Sequence, residues 1–235
     1  MRWLIVLGLA CLLTRSTGAA IGEEAAFAQA RRQMVEKQLQ IRGISNPGVL
    51  RAMERVPRHR FVSPALESRA YGDWALPIEE RQTISQPYIV ALMTQLLDLH
   101  GGEKVLEVGT GSGYQAAVLA EIVGKVYTIE ILPGLAAGAA ARLRQLGYTE
   151  VKVRAGDGYL GWPEAAPFDA IIVTAGATHI PQPLVTQLAE GGRLVIPVGP
   201  SSERQELILG RKTGGRFVTR VVAPVRFVPL VEPRR

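Results

Sequence analysis

Three carboxylates stand at or near the ends of three apolar runs in this sequence, with glycines around two of them. Glu107 sits in Val105-Leu-Glu-Val108 and is followed by Gly109, Gly111 and Gly113, a glycine at every second position. Glu130 closes Val126-Tyr-Thr-Ile-Glu130, and Asp157 lies in Gly156-Asp-Gly158 after Val151-Lys-Val-Arg154. An apolar run, a glycine turn and then the helix-like Ala116–Ala120 is the order in which an α/β sheet presents backbone N–H groups to a ligand at the carboxyl end of a strand. Glycine suits that turn because it reaches conformations closed to other residues and lets a ligand approach the backbone.

The spacing selects the ligand. A dinucleotide fingerprint, G-x-G-x-x-G, needs glycine at position 114, where this chain has Tyr114. An acid inside the strand end, as in Glu107-x-Gly109-x-Gly111-x-Gly113, opposes a pyrophosphate and suits a cationic or amine-bearing ligand. Glu130 at the next strand end can accept both hydroxyls of a ribose. Acids at three successive strand ends describe a nucleoside pocket without phosphates, and S-adenosyl-L-methionine, with its sulfonium, amino-acid head, ribose and adenine, fits it. The plainer alternative is a glycine-rich turn with incidental acids.

A second candidate is Ser85 in Gln82-Thr-Ile-Ser-Gln-Pro-Tyr88. Pro87 sets up a first helical turn, so Ser85 or Gln86 falls at or beside the N-cap, and capping is the commonest use of a serine there. Other chemistries find less support. No G-x-S-x-G elbow exists, because Thr110 precedes Gly111-Ser112. His59, His100 and His179 have no metal-ligand spacing with other donors, so no metal is expected. His179 belongs to a loop after a strand, where a surface or packing role is the ordinary one, and its part in the site stays open.

The elements that must position these residues alternate from Lys104 onward. After the first strand and helix come a strand ending at Glu130, an alanine-rich helix from Leu132 to Leu146 stopped by Gly147, and a strand from Val151 to Arg154. Phe168–Thr174 is an apolar strand of the doubly buried kind, followed by a short helix from Pro183 to Glu190 and a strand from Arg193 to Val198. Glu206–Leu209 and Phe217–Val222 flank Lys212-Thr-Gly-Gly215 as a hairpin, and Val225–Leu230 is a last extended segment. Ahead of the sheet, Phe27–Arg42 and Gly48–Arg55 have helical periodicity, with Gly43 as a stop and Asn46-Pro47 as a start. A further helix runs from Ile89 to Leu99. The pattern predicts an α/β domain, mostly parallel, with a helical cap over 27–60, a core over 104–200 and antiparallel strands over 205–230, all within one domain over 27–232.

Length and composition agree with an ordinary globular domain: 235 residues, 47% hydrophobic and 20% charged. The formal charge of +6 is spread out, with no run of Lys and Arg interleaved with aromatics, so no nucleic-acid partner is indicated. Residues 1–20 read as a secretory signal: Met1-Arg2, an apolar run from Trp3 to Leu13, then small and polar residues to Ala20. Removal would take Cys11, the only cysteine, and leave 25 basic against 21 acidic side chains. After such processing no stable membrane association is expected.

The assembled residues resemble the protein-L-isoaspartate O-methyltransferases over roughly residues 27–230. The most specific piece is Ala75-Leu-Pro-Ile78 followed by Gln82-Thr-Ile-Ser-Gln-Pro87; Leu106–Tyr114, Ala166–Ala175, Glu190–Gly199 and Arg226-Phe-Val-Pro-Leu230 match further blocks in order. The resemblance implies a Rossmann-like methyltransferase fold with rearranged final strands. It implies methyl transfer from S-adenosyl-L-methionine to the α-carboxylate of an L-isoaspartyl residue in damaged proteins and peptides, through a succinimide back towards L-aspartyl. It makes Ser85 the active-site serine. Glu107, Gly109, Thr110, Gly111, Gly113, Glu130, Gly156, Asp157, Gly158 and Thr83 become the cofactor site. Asp73, Ile84, Ser85, Val228 and Pro229 become contacts of the substrate. The family's usual form is cytoplasmic, where the cofactor is made, and a monomer is expected of this chain. Residues 1–26 have no counterpart in it, so periplasmic export stands as the alternative. Methylation of another carboxylate acceptor, or binding of altered proteins without turnover, are the rival activities.

Overall fold

The computed structural model describes residues 22–200 and 204–231. The leader expected over residues 1–20, Cys11 included, and the final residue of the 27–232 domain lie outside the described residues.

The chain enters as a helix over residues 22–34 (α1), which continues as a wider π turn at Val35–Leu39 and a tight turn at Gln40–Arg42. Gly43, at φ +86°, ends it where the sequence places the stop. The Asn46 side chain accepts from the backbone N–H groups of Gly48 and Val49 at 2.8 and 3.1 Å, which starts α2 (Pro47–Arg55). Two strand fragments, β1 (Leu76–Pro77) and β2 (Thr83–Ile84), then form an antiparallel hairpin that the apolar pattern did not announce. Proline occupies the first position of α3 (Pro87–Leu97), which ends at Asp98 in the left-handed region, short of the expected Leu99.

From here strands and helices alternate: β3 (Lys104–Val108), α4 (Tyr114–Ala120), β4 (Lys125–Glu130), α5 (Pro133–Gln145), β5 (Lys152–Ala155), β6 (Phe168–Val173), α6 (Gln182–Gln187), β7 (Leu188–Val198), β8 (Gln205–Thr213) and β9 (Arg216–Val225). Their order across the sheet is β5-β4-β3-β6-β7-β8-β9. The first five pair in parallel and the last three as an antiparallel meander. This is the Rossmann-like, mostly parallel sheet with antiparallel terminal strands that the sequence predicts. The hairpin is longer than predicted, because the turn narrows to Gly214-Gly215 and the ladder runs on to Thr213 and Arg216. Val225, the first residue of the last extended segment, closes β9 opposite Gln205, and further on Pro229 bridges to Gly176.

Alternation along the central strands explains how both faces are covered. Val105, Ala170, Ile172 and Val195 point to one core with residues of α2, α3, α4 and Leu143 of α5. Leu106, Val108, Ile171, Val173, Leu194 and Ile196 point to the other, against Leu184 of α6. Strands buried on both faces are expected to be apolar nearly throughout, and the buried Glu107 of β3 and the buried Thr128 and Glu130 of β4 depart from that pattern.

Candidate active site

After β3 the chain goes to β4 and β5 on one side, then returns with β6 on the other side of β3. Loops at the carboxyl ends of β3 and β6 therefore part in opposite directions and leave a crevice, the place where open α/β sheets bind ligands. The crevice is a cavity of about 520 Å³. Gly109, at φ +100°, turns the chain across its floor, and a Cβ there would meet Thr174 Oγ1 at 2.5 Å. That hydroxyl donates to the Gly109 carbonyl at 2.6 Å, tying the two loops together.

Glu107 is fully buried and lines the cavity. One carboxyl oxygen accepts from Thr128 at 2.5 Å, and Thr128 lies 2.7 Å from the Thr110 hydroxyl. The other oxygen is buried with no hydrogen-bond partner among the described residues. Burial pushes the group up to about 8; the Thr128 bond opposes the shift and the charge of Glu130 adds to it. Glu130, buried at the end of β4, accepts from the backbone N–H of Gly111 at 2.9 Å and of Leu132 at 3.2 Å. A carboxylate has about four acceptor positions, so room remains for a vicinal diol.

The β1–β2 hairpin lies against this floor and brings Thr83, Ile84 and Ser85 to the cavity wall. Gln86, one residue on, is the N-cap of α3, and no side-chain hydrogen bond closes that first turn. Capping by Ser85 is therefore not what the structure shows. Val228 and Pro229 supply the opposite wall. They are carried there by Gly176, which donates to the Val228 carbonyl, and by the buried Gln205 side chain, which accepts from Phe227 N–H at 2.8 Å and donates to its carbonyl at 3.3 Å.

Of the residues singled out in the sequence, Glu107, Gly109, Thr110, Gly111, Glu130, Gly158, Thr83, Ile84, Ser85, Val228 and Pro229 line the cavity. Four others stand back from it. Gly113 caps α4; Gly156 extends the sheet by donating to the Glu130 carbonyl. Asp157 turns its carboxylate into its own loop, accepting from Tyr159 N–H at 2.9 Å. Asp73 pairs with Arg42 at 2.9 Å. His179 is exposed and stands beside Thr178 and the Tyr159 ring, outside the cavity. Sequence reading missed Gln115, a buried cavity residue donating to Thr94 at 2.9 Å, although a polar side chain ahead of the apolar Ala116–Ala120 was a visible signal. It also missed Glu80 and Gln82 on the hairpin, where nothing in the local pattern marks them.

The donor set decides between ligand classes. Among the described residues no Lys, Arg or His lines the cavity, so a phosphate has no counter-charge from them there. A buried carboxyl oxygen without a partner suits an amine, and Glu130 suits a ribose. The residues fit S-adenosyl-L-methionine.

Sheet order, crevice and acids define a Rossmann-like methyltransferase that uses S-adenosyl-L-methionine. The family model described as Protein-L-isoaspartate(D-aspartate) O-methyltransferase matches residues 29–235. A Protein-L-isoaspartate O-methyltransferase of Gloeobacter violaceus is 55% identical over 201 residues, 86% of this chain and 98% of that one. Protein-L-isoaspartate O-methyltransferase 1 of Syntrophobacter fumaroxidans is 58% identical over 205 residues, covering 87% and 95%. Among solved structures, a protein-L-isoaspartate O-methyltransferase superposes with a TM-score of 0.78 at 33% identity, over 86% of this chain and 66% of that one. Another, from Plasmodium falciparum in complex with S-adenosyl-L-homocysteine, gives 0.74 at 27% identity over 86% and 98%. The chain belongs to the protein-L-isoaspartate(D-aspartate) O-methyltransferase family.

Proposed function

We propose that the cavity transfers a methyl group from S-adenosyl-L-methionine to the α-carboxylate of L-isoaspartyl residues in damaged proteins and peptides, with Ser85 as the residue that aims the carboxylate. The ester then collapses to a succinimide, which reopens partly to L-aspartyl. The observation that carries the reading is a cavity lined by the buried acids Glu107 and Glu130 together with Thr83 and Ser85, with no Lys, Arg or His among the described residues of its wall.

When bound, the cofactor supplies an electrophilic methyl on a positively charged sulfur. Everything else asked of the protein is alignment. The nucleophile is a carboxylate with an ordinary pKa of about 3.5–4, already ionised at neutral pH. No general base is needed, and among the described residues no histidine lines the wall. An arginine against that carboxylate would hold the lone pair the reaction uses. The Ser85 hydroxyl donates one hydrogen bond instead, which fixes direction and leaves the second oxygen free to attack. The reaction joins opposite charges and ends neutral, so walls that exclude water favour it. Glu107 accepts from the cofactor's amine and Glu130 from its ribose hydroxyls. Gly109, Thr110, Gly111 and Gly113 shape the loop around them, and Thr83 reaches them from the hairpin. Gly158 borders the adenine, with Gly156 and Asp157 shaping the loop behind it. Ile84, Val228 and Pro229 contact the acceptor, and Asp73 acts through Arg42.

We read residues 27–232 as one domain because both cores pack on the same sheet. A monomer suffices because one chain supplies the whole lining. Among the described residues no helix is long and apolar enough to cross a membrane. The cofactor's origin favours the cytoplasm and the leader-like residues 1–20 favour export; N-terminal sequencing of protein from fractionated cells decides between them.

The direct test compares radiolabelled methyl transfer to an isoaspartyl peptide and to its aspartyl twin. Base-labile label on the isoaspartyl peptide alone is expected. Equal label on both points to a general carboxylate acceptor, and binding without label points to a non-catalytic binder; either removes the repair reading.

A further inference from the structure

A carboxylate that belongs to a polypeptide reaches Ser85 with chain on both sides of it, and a cavity of about 520 Å³ that must also take the cofactor cannot hold that chain. The flanking residues have to lie on the rim. On the hairpin side the rim carries Trp74, 47% exposed. The ladder of β1 and β2 ends at Leu76 and Ile84, and the chain ahead of it bends over residues 72–74. The Gln86 side chain donates to the Asp73 carbonyl at 3.0 Å, which ties the residue before Trp74 to the neighbour of Ser85.

The indole is fixed in place. A Cβ at Gly72 would fall 2.0 Å from its ring, so the ring lies directly against the Gly72 backbone, a contact that any other residue at 72 would block. The Arg69 guanidinium stands 5.9 Å from its centroid. Nearby, Arg42 is held just as firmly. Its guanidinium stacks on Tyr88, in the first turn of α3, at 3.4 Å from the ring centroid, and its Nη1 donates to both oxygens of Asp73 at 2.9 and 3.2 Å. The side chain keeps 38% exposure, so other N–H groups remain available. Asp73 offsets its charge, which keeps Arg42 from capturing the reacting carboxylate while leaving donors for neutral acceptors. Ile41, beside it in the chain, is 75% exposed.

A fixed aromatic face and a charge-offset guanidinium, joined through Asp73 and tied by Gln86 to the neighbour of the reacting serine, match a passing polypeptide. We propose that Trp74 and Arg42 form a subsite for the substrate residues that flank the isoaspartyl residue, the indole receiving a neighbouring apolar or aromatic side chain and the guanidinium a main-chain carbonyl oxygen. The proposal rests on the isoaspartyl reading of the cavity and adds a sequence preference to it.

The experiment measures kcat and KM of the full chain on isoaspartyl hexapeptides carrying Phe, Leu or Gly beside the isoaspartyl residue, and on a blocked isoaspartyl dipeptide too short to reach the indole. For the unaltered chain Phe and Leu are preferred over Gly by about 3- to 10-fold, the gain expected of one aromatic contact, and the difference lies in KM. Trp74→Ala brings the three peptides together, Trp74→Phe restores part of the preference, and Arg42→Gln raises KM for all hexapeptides more than for the dipeptide. A preference that survives Trp74→Ala, or a loss of the same size on the dipeptide, overturns the subsite. An unaltered chain that labels none of these substrates overturns the function itself, and the subsite with it.

Discussion

At Glu107, burial and chemistry pull against each other. A carboxyl group without solvent and with one oxygen unpartnered favours the neutral form, and it is pushed up to about 8. Its folded value lies above the ordinary 4.5, so its contribution to stability is fully present below that pH and is lost as the pH rises towards 8. Without cofactor, the chain is therefore expected to lose stability between those limits, by on the order of 1 kcal/mol per pH unit, and Glu107→Gln to lose less. Thermal melts of both proteins at pH 6 and pH 9 check this; parallel losses in the two would contradict it. Binding an amine favours the ionised carboxylate, so below pH 8 cofactor binding releases a proton. Calorimetry in buffers of different ionisation enthalpy reads that proton, and Glu107→Gln removes it. Ser85 belongs to the same scale. Ser85→Ala is expected to lower kcat by about 10- to 100-fold, the range for a misaimed reactant, with cofactor affinity nearly unchanged. Weaker cofactor binding at unchanged kcat would show that the hydroxyl does something else.

Among the elements, the loop after β3 and the segment after β9 do the positioning. Gly109→Ala forces a Cβ into the left-handed region and against Thr174. A cost of about 1–3 kcal/mol in urea unfolding is expected, together with weakened cofactor binding. Gln205→Leu deletes both bonds to Phe227, leaving its backbone groups without their side-chain partner. Hydrogen exchange over 227–231 is expected to quicken and KM for peptides to rise, with β8 and β9 still protected; unchanged exchange there would mean the segment is held by other contacts. The glycine loop was legible in the sequence because glycine spacing and strand ends are local signals. The role of Gln205 was not, since it depends on a bond between residues 22 positions apart that leaves no period in the chain. Asp157 was read as a strand-end acid like the other two, yet a short loop lets its carboxylate bond to Tyr159 N–H, a competition that spacing alone does not show.

Over the whole molecule, alternation did most of the work that made the fold readable. Apolar strands marked the parallel centre, Gly214-Gly215 marked the hairpin, and acids at successive strand ends marked the site. What remained hidden was the β1–β2 hairpin, whose strands are too short to show a period, and the Arg42–Asp73 pair, which joins residues 31 positions apart. The switch between β3 and β6 gives all of these a common centre, because it opens the crevice into which both the glycine loop and the hairpin face. The most direct measurement is a crystal structure of the chain with S-adenosyl-L-homocysteine. The ribose hydroxyls should meet Glu130, the amine should meet the free oxygen of Glu107, and the sulfur should face Ser85 across the hairpin wall. An adenosyl group bound away from this crevice, or a sulfur turned from Ser85, would contradict it.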